Sequence, residues 1–186
     1  MANREHFLQG ASDDPMTDVG YEQAKKLGTF LKDACIAHVM SSDLMRAVET
    51  ARPIAEAHRL DVETKTLLRE WNCGVWDGKP ASEFLGMMAE SGLRISELEP
   101  PGGEKLSDVR QRACQAVAEL IEKHMGQCVV VCSHGDFMRM MMSCMLGISI
   151  DQANCLRFEN ASYTIVEWDG ATWNVMAMSC LPILCE

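Results

Sequence analysis

The sequence predicts an α/β fold: a three-layer αβα sandwich around a mostly parallel sheet, with antiparallel strands at its C-terminal end. Three observations predict it. Short apolar runs alternate with stretches of helical periodicity from Thr17 to Leu146. One of those runs, Cys128 to Cys132, is continuously apolar, as a strand covered on both faces must be. The chain then closes on segments of strand character, the last two joined by Asp169-Gly170, a hairpin signal. Alternation of strand and helix implies parallel strands with helices on both faces.

The elements follow in order. Thr17 to Leu31 has apolar residues at helical spacing after the turn-prone Asp13-Asp14-Pro15, which makes it a helix capped by Thr17 or Asp18. Ile36 to Met40 reads as a strand that turns through Ser41-Ser42-Asp43 into a helix over Leu44 to His58, with a capping residue at its start. Pro100 to Gly103 is a loop, too short to separate domains. Ser107 to His124 is helical and stopped by Gly126, Cys128 to Cys132 is a buried strand, and Phe137 to Leu146 is helical again. Asn154 to Glu159, Tyr163 to Trp168 and Thr172 to Met178 read as strands that extend the sheet in antiparallel fashion.

Composition narrows the function. A chain of 186 residues, 47% hydrophobic and without a long polar tract, suits one domain, taken as 1–186. A formal net charge of -10 argues against nucleic acid and anionic membranes as partners, because the long-range field repels phosphate polymers. A small anion remains acceptable where cations gather in one pocket. Neither a membrane-spanning apolar stretch nor a secretory leader is visible, so the expected location is cytoplasmic. The nine cysteines are odd in number and several lie in apolar runs, which reads as reduced thiols rather than a disulfide framework. Cys128 and Cys132, four strand residues apart at roughly 3.3 Å each, cannot share a zinc ion, and no metal or cofactor is expected. The fourteen methionines read as adaptable core filling.

In an open parallel sheet, ligands gather where strands end and helices begin. Two segments reach that place. Ser41 to Ala47 sets Arg46 in the first turn of a helix, where a guanidinium can fork onto two phosphate oxygens; a solvated surface arginine is the plain alternative. Val129 to Asp136 is a strand ending in Ser133-His134-Gly135, where His134, if protonated, donates two hydrogen bonds to an oxyanion and Gly135 admits close backbone approach. A third segment, Leu68 to Lys79, holds Glu70 beside Trp71; desolvation there would raise its pKa and suit it to general acid work, against the plain reading of a surface carboxylate.

Together these motifs resemble the histidine phosphatase superfamily. The resemblance rests on Ser-Ser-Asp-Leu-x-Arg-Ala-x-x-Thr-Ala at Ser41 to Ala51, Leu-Arg-Glu-Trp with Gly-x-Trp-x-Gly-Lys at Leu68 to Lys79, Pro-Gly-Gly-Glu at Pro101 to Glu104, and Val-Val-x-Ser-His-Gly at Val130 to Gly135, in the family's order. It covers nearly the whole chain and is closest to the phosphoglycerate-mutase-like branch, especially the TIGAR-like fructose-2,6-bisphosphatases. The resemblance implies a metal-free hydrolysis of a small phosphorylated metabolite through a phosphohistidine, with fructose 2,6-bisphosphate the leading substrate. It implies that Arg46 and His134 grip the phosphate oxygens, and that Glu70 protonates the leaving alcohol and then activates water. Asn3, Gln9, Gly10 and Gly135 would line the pocket.

One departure stands out. The family's Arg-His-Gly strand would fall upstream of Asn3, where only Met1 and Ala2 stand, and His6 occupies a variable loop position. The expectation is an N-terminally incomplete domain without its first strand or its nucleophile, inactive or very weak as it stands. A pocket that binds phosphorylated metabolites, or presents a surface to a partner, without turning anything over is the competing reading. Loss of a strand would also orphan backbone groups at roughly 1–3 kcal/mol each when buried.

Overall fold

Val39 and Met40 are neighbours in one strand, so their side chains point to opposite faces of the sheet. The computed structural model describes residues 7–183, and there the two residues belong to different cores. Met40 packs with Leu68, Trp71, Leu106, Phe137 and Met140, while Val39 packs with Leu27, Ala51, Ile54 and Cys132. A sheet buried on both faces is what makes the architecture three-layered.

The first layer is α1 (Asp18–Leu31) against α2 (Met45–His58), with β1 (Ile36–Ser41) between them in sequence. Thr17 caps α1 by accepting a hydrogen bond from Gly20 N at 3.2 Å, and Asp18 complements the helix dipole. The two helices approach so closely that a Cβ on Gly28 would lie 2.8 Å from the backbone of Pro53. Pro53 sits inside α2, where it donates no hydrogen bond. At the start of α2, Ser42 Oγ of the preceding turn accepts from Leu44 N at 3.3 Å, and Asp13 Oδ1 accepts from Met45 N at 2.6 Å.

β2 (Val62–Thr64), a short strand absent from the sequence-based expectation, completes one edge. After α3 (Ala81–Ser91), also unanticipated, come α4 (Leu106–His124), β3 (Cys128–Cys132) and α5 (Gly135–Leu146). The parallel sheet runs β2-β1-β3, with Met40 opposite Val131 and Ser41 opposite Cys132. α4 and α5 form the third layer, and Met140, Met141 and Met142 are buried there as core filling.

Three expectations need correction. Asn154 to Glu159 is not a strand: α6 (Ile150–Ala153), closed by a reciprocal Ser149–Gln152 capping box, precedes it, and Arg139 Nε holds the Leu156 carbonyl at 3.0 Å in a loop. β4 (Tyr163–Trp168) and β5 (Trp173–Cys180) do form the antiparallel hairpin, but among the described residues it is a separate two-stranded sheet rather than an extension of the parallel one. Finally, Cys114 of α4 and Cys144 of α5 are joined in a disulfide, their Cα atoms 5.5 Å apart. Reading all cysteines as reduced therefore fails for this pair, because facing helices bring together two thiols that are 30 residues apart in sequence. Where a strand ahead of residue 7 would run is outside the described residues, as are Asn3 and His6. Among the described residues, no helix is long and apolar enough to cross a membrane.

Candidate active site

β1 and β3 end level with each other, Ser41 against Cys132, so the residues that follow emerge side by side. Ser42 N donates to the Cys132 carbonyl at 3.0 Å, and Ser42 Oγ lies 2.6 Å from His134 Nε2. Arg46 enters from the first turn of α2 and donates from Nε to His134 Nδ1 at 3.2 Å. An arginine is always protonated, so Nδ1 must be the acceptor and Nε2 carries the imidazole hydrogen, which goes to Ser42. This assignment leaves Ser42 without a base to activate it.

The other Arg46 nitrogens reach the loop before α1, one to the Ser12 carbonyl and one to the Gly10 carbonyl at 2.9 Å. Gly10 adopts a positive φ of 49°, and a Cβ there would fall 1.8 Å from Asp77 Oδ1. Asp77 accepts from Ala11 N at 3.1 Å and Cys73 N at 3.0 Å, tying this loop to the one that carries Glu70. Only glycine fits where the two loops meet.

Glu70 lies across the N-terminus of α5. Its carboxylate accepts from Trp71 N at 2.9 Å, Asp136 N at 3.1 Å and Phe137 N at 3.0 Å. Burial nevertheless pushes its pKa up to about 7, with the charge of Asp136 adding to the rise and those N–H groups opposing it. Both protonation states are thus accessible near neutral pH, as a general acid requires. His134 goes the other way: burial first, then the charges of Arg46 and Arg112, hold it down at about 3, against the pull of Asp43. As arranged it is neutral with both ring nitrogens engaged, so the protonated double donor expected from the sequence arises only when an anion displaces Arg46 or adds its own charge.

Arg46, Glu70 and His134 all line one cavity of about 640 Å³, together with Gln9, Gly10 and Gly135. A Cβ on Gly135 would meet Glu70 and Arg139 only at 3.9 Å, so no protein group there demands glycine. Pro15, Met16, Val19, Met138 and Phe158 supply apolar wall. Several residues that shape the site were not singled out from sequence: Ser42, Asp77, Glu104 and Arg112 act through contacts distant in the chain. Asp43 is one exception in kind, since its bidentate pair with Arg69, at 2.7 and 2.6 Å, links the two sequence motifs directly.

This constellation matches a family. The model described as histidine phosphatase superfamily (branch 1) aligns with residues 1–180. The chain belongs to the histidine phosphatase superfamily. Among its relatives in that superfamily, the fructose-2,6-bisphosphatase TIGAR of Xenopus tropicalis is 40% identical over 116 residues, 60% of this chain and 42% of that protein. TIGAR of Bos taurus is 36% identical over 133 residues, 67% of this chain and 49% of that protein, so this histidine phosphatase spans under half the length of either. A solved mycobacterial glucosyl-3-phosphoglycerate phosphatase with VO3 superposes with a TM-score of 0.87 at 27% identity, covering 96% of this chain and 93% of that one.

Proposed function

We propose that the cavity takes up a small phosphorylated sugar, with fructose 2,6-bisphosphate as the leading candidate, and that its chemistry is phosphate-ester hydrolysis. The observation that carries this reading is the meeting of Arg46, His134 and Glu70 on one cavity at the C-terminal ends of parallel strands. The phosphoryl group would rest against Arg46 and His134. As the bond from phosphorus to the ester oxygen breaks, Glu70 would give its proton to the departing alcohol, and the phosphoryl group would pass to the histidine of the Arg-His-Gly strand that the family resemblance implies, a residue that residues 1–186 do not include and without which turnover would be absent or very weak. The resulting carboxylate would then take a proton from the water that releases phosphate.

A second reading has a specific observation in its favour. Among the described residues facing the cavity, both nitrogens of His134 are engaged, and burial holds Cys132 at about 12 and raises Cys73 further, so neither thiolate is available. These residues furnish a grip and an acid but no nucleophile, which supports a chain that binds the metabolite with little or no turnover.

Calorimetric titration with orthophosphate, fructose 2,6-bisphosphate and 3-phosphoglycerate, run beside a phosphate-release assay, separates the readings. Release from any of these esters supports hydrolysis, and binding without release supports the metabolite-binding reading. No heat with any ligand at millimolar concentration removes both.

A further inference from the structure

Glu70 owes its place to backbone that another helix holds. Arg112, on α4, spreads one guanidinium over that backbone. Nη1 donates to the Leu67 carbonyl at 3.0 Å and to that of Arg69, and Nη2 donates to the Glu70 carbonyl at 2.9 Å. The fork is itself fixed by Glu104, with Nε to Oε1 at 3.2 Å and Nη2 to Oε2 at 3.1 Å. Glu104 continues the ring: its Oε2 accepts from Asn72 N at 3.1 Å and its carbonyl from Trp71 Nε1 at 2.7 Å. The other face of the guanidinium lies 4.9 Å from the Phe137 ring centroid, and Phe137 N is one of the groups that bind the Glu70 carboxylate. One planar cation therefore touches both sides of the seat, the loop that presents Glu70 and the helix end that receives it.

From this geometry we infer that Arg112, locked by Glu104, is the positioning residue for Glu70. The inference deepens the hydrolase reading above and rests on Glu70 being its proton donor. Lysine does not substitute for such a fork, because a single ammonium cannot hold three carbonyls and a carboxylate in one plane. Without the fork, the Leu67 to Glu70 backbone is free to draw back from α5, and the carboxyl gains access to water. The charged and titratable groups around Glu70 are Asp136 and Arg139 on α5, His134 just ahead of it, Arg46 on α2, Cys73 on its own loop, Arg112 on α4 and Glu104 before it. Arg139 is paired with Asp136 at 2.5 Å, so the change at Arg112 is read against a fixed background.

The test is a carboxyl carbon NMR titration of the full chain, with the Glu70 signal identified by its loss in Glu70→Gln. The wild-type midpoint is expected at about 7, and Arg112→Met, which keeps the packing on Phe137, is expected to bring it down toward the ordinary glutamate value, because burial is the largest cause of the rise and its relief outweighs the lost positive charge, which alone would push the midpoint up. Arg112→Lys should recover only part of the difference. A midpoint unmoved in Arg112→Met overturns the inference. Should that variant not fold, Glu104→Gln, which leaves every backbone acceptor in place, is expected to move the midpoint the same way by less, and no movement there also overturns it. Orthophosphate titration of the wild type reports separately on the functional reading: normal Glu70 titration without phosphate binding retires that reading while leaving the seat intact.

Discussion

Arg46 Nε and His134 Nδ1 are hydrogen-bonded to each other at 3.2 Å, so the two groups that would flank a phosphoryl group hold one another in its place. An oxyanion bound here either takes over this contact or adds to it through the N–H groups that Arg46 has left, and this governs what each variant should do.

Arg46→Ala should lose phosphate affinity by roughly ten- to 150-fold, the worth of one charge-assisted hydrogen bond of about 1.5–3 kcal/mol. The same change removes a nearby positive charge and should raise the His134 pKa above its low value of about 3. Calorimetry and imidazole proton NMR measure the two effects, which move in opposite directions for binding and for basicity.

Glu70 and His134 should leave opposing marks on stability against pH. His134 is depressed to about 3, so its contribution is full above the unfolded value and is lost as pH falls through that window. Glu70 is raised to about 7 from 4.5, so its contribution is full at acid pH and is lost as pH rises toward 7. Urea unfolding of Glu70→Gln should show stability no longer declining from pH 4.5 to 7, and His134→Gln should flatten the acid limb instead.

Gly10→Ala should destabilise the chain by about 1–2 kcal/mol from backbone conformation alone, with more from the collision with Asp77. Because the Gly10 carbonyl also orients Arg46, phosphate affinity should fall in the same variant. Thermal unfolding and calorimetry on one sample would report both.

Reducing Cys114–Cys144, or replacing both by serine, should cost about 2–4 kcal/mol and lower the melting temperature by roughly 4–16 °C. Added reductant should have no further effect on the double serine variant.

Much of this site was legible in the sequence because two of its three principal groups follow strand ends, where periodicity says the chain must turn. Arg46 and His134 are legible in that way, Glu70 from its place beside Trp71 in a loop-like stretch, and the family resemblance implies their roles. What escaped was set by contacts between distant elements. Nothing local marks Arg112 as the clamp on Glu70, since an arginine on an amphipathic helix looks like a solvated face. Likewise Cys114 and Cys144 declare themselves only when α4 lies on α5. The hairpin was recognised from Asp169-Gly170, yet which sheet it joins is a long-range matter, and Asn154 to Glu159 has apolar content that a loop can bury equally well.

The division of the interior by β1 has a dynamic consequence. Arg46 rides on the helix pair packed over Val39, whereas Glu70, Arg112 and Phe137 belong to the side of Met40. Each side has its own apolar cluster, so the two are free to open as separate cooperative units. Amide hydrogen exchange would then show α2 protected to a different free energy than α5, and warming would part Arg46 from His134, splitting the anion grip, at a temperature other than the one that dissolves the acid's seat.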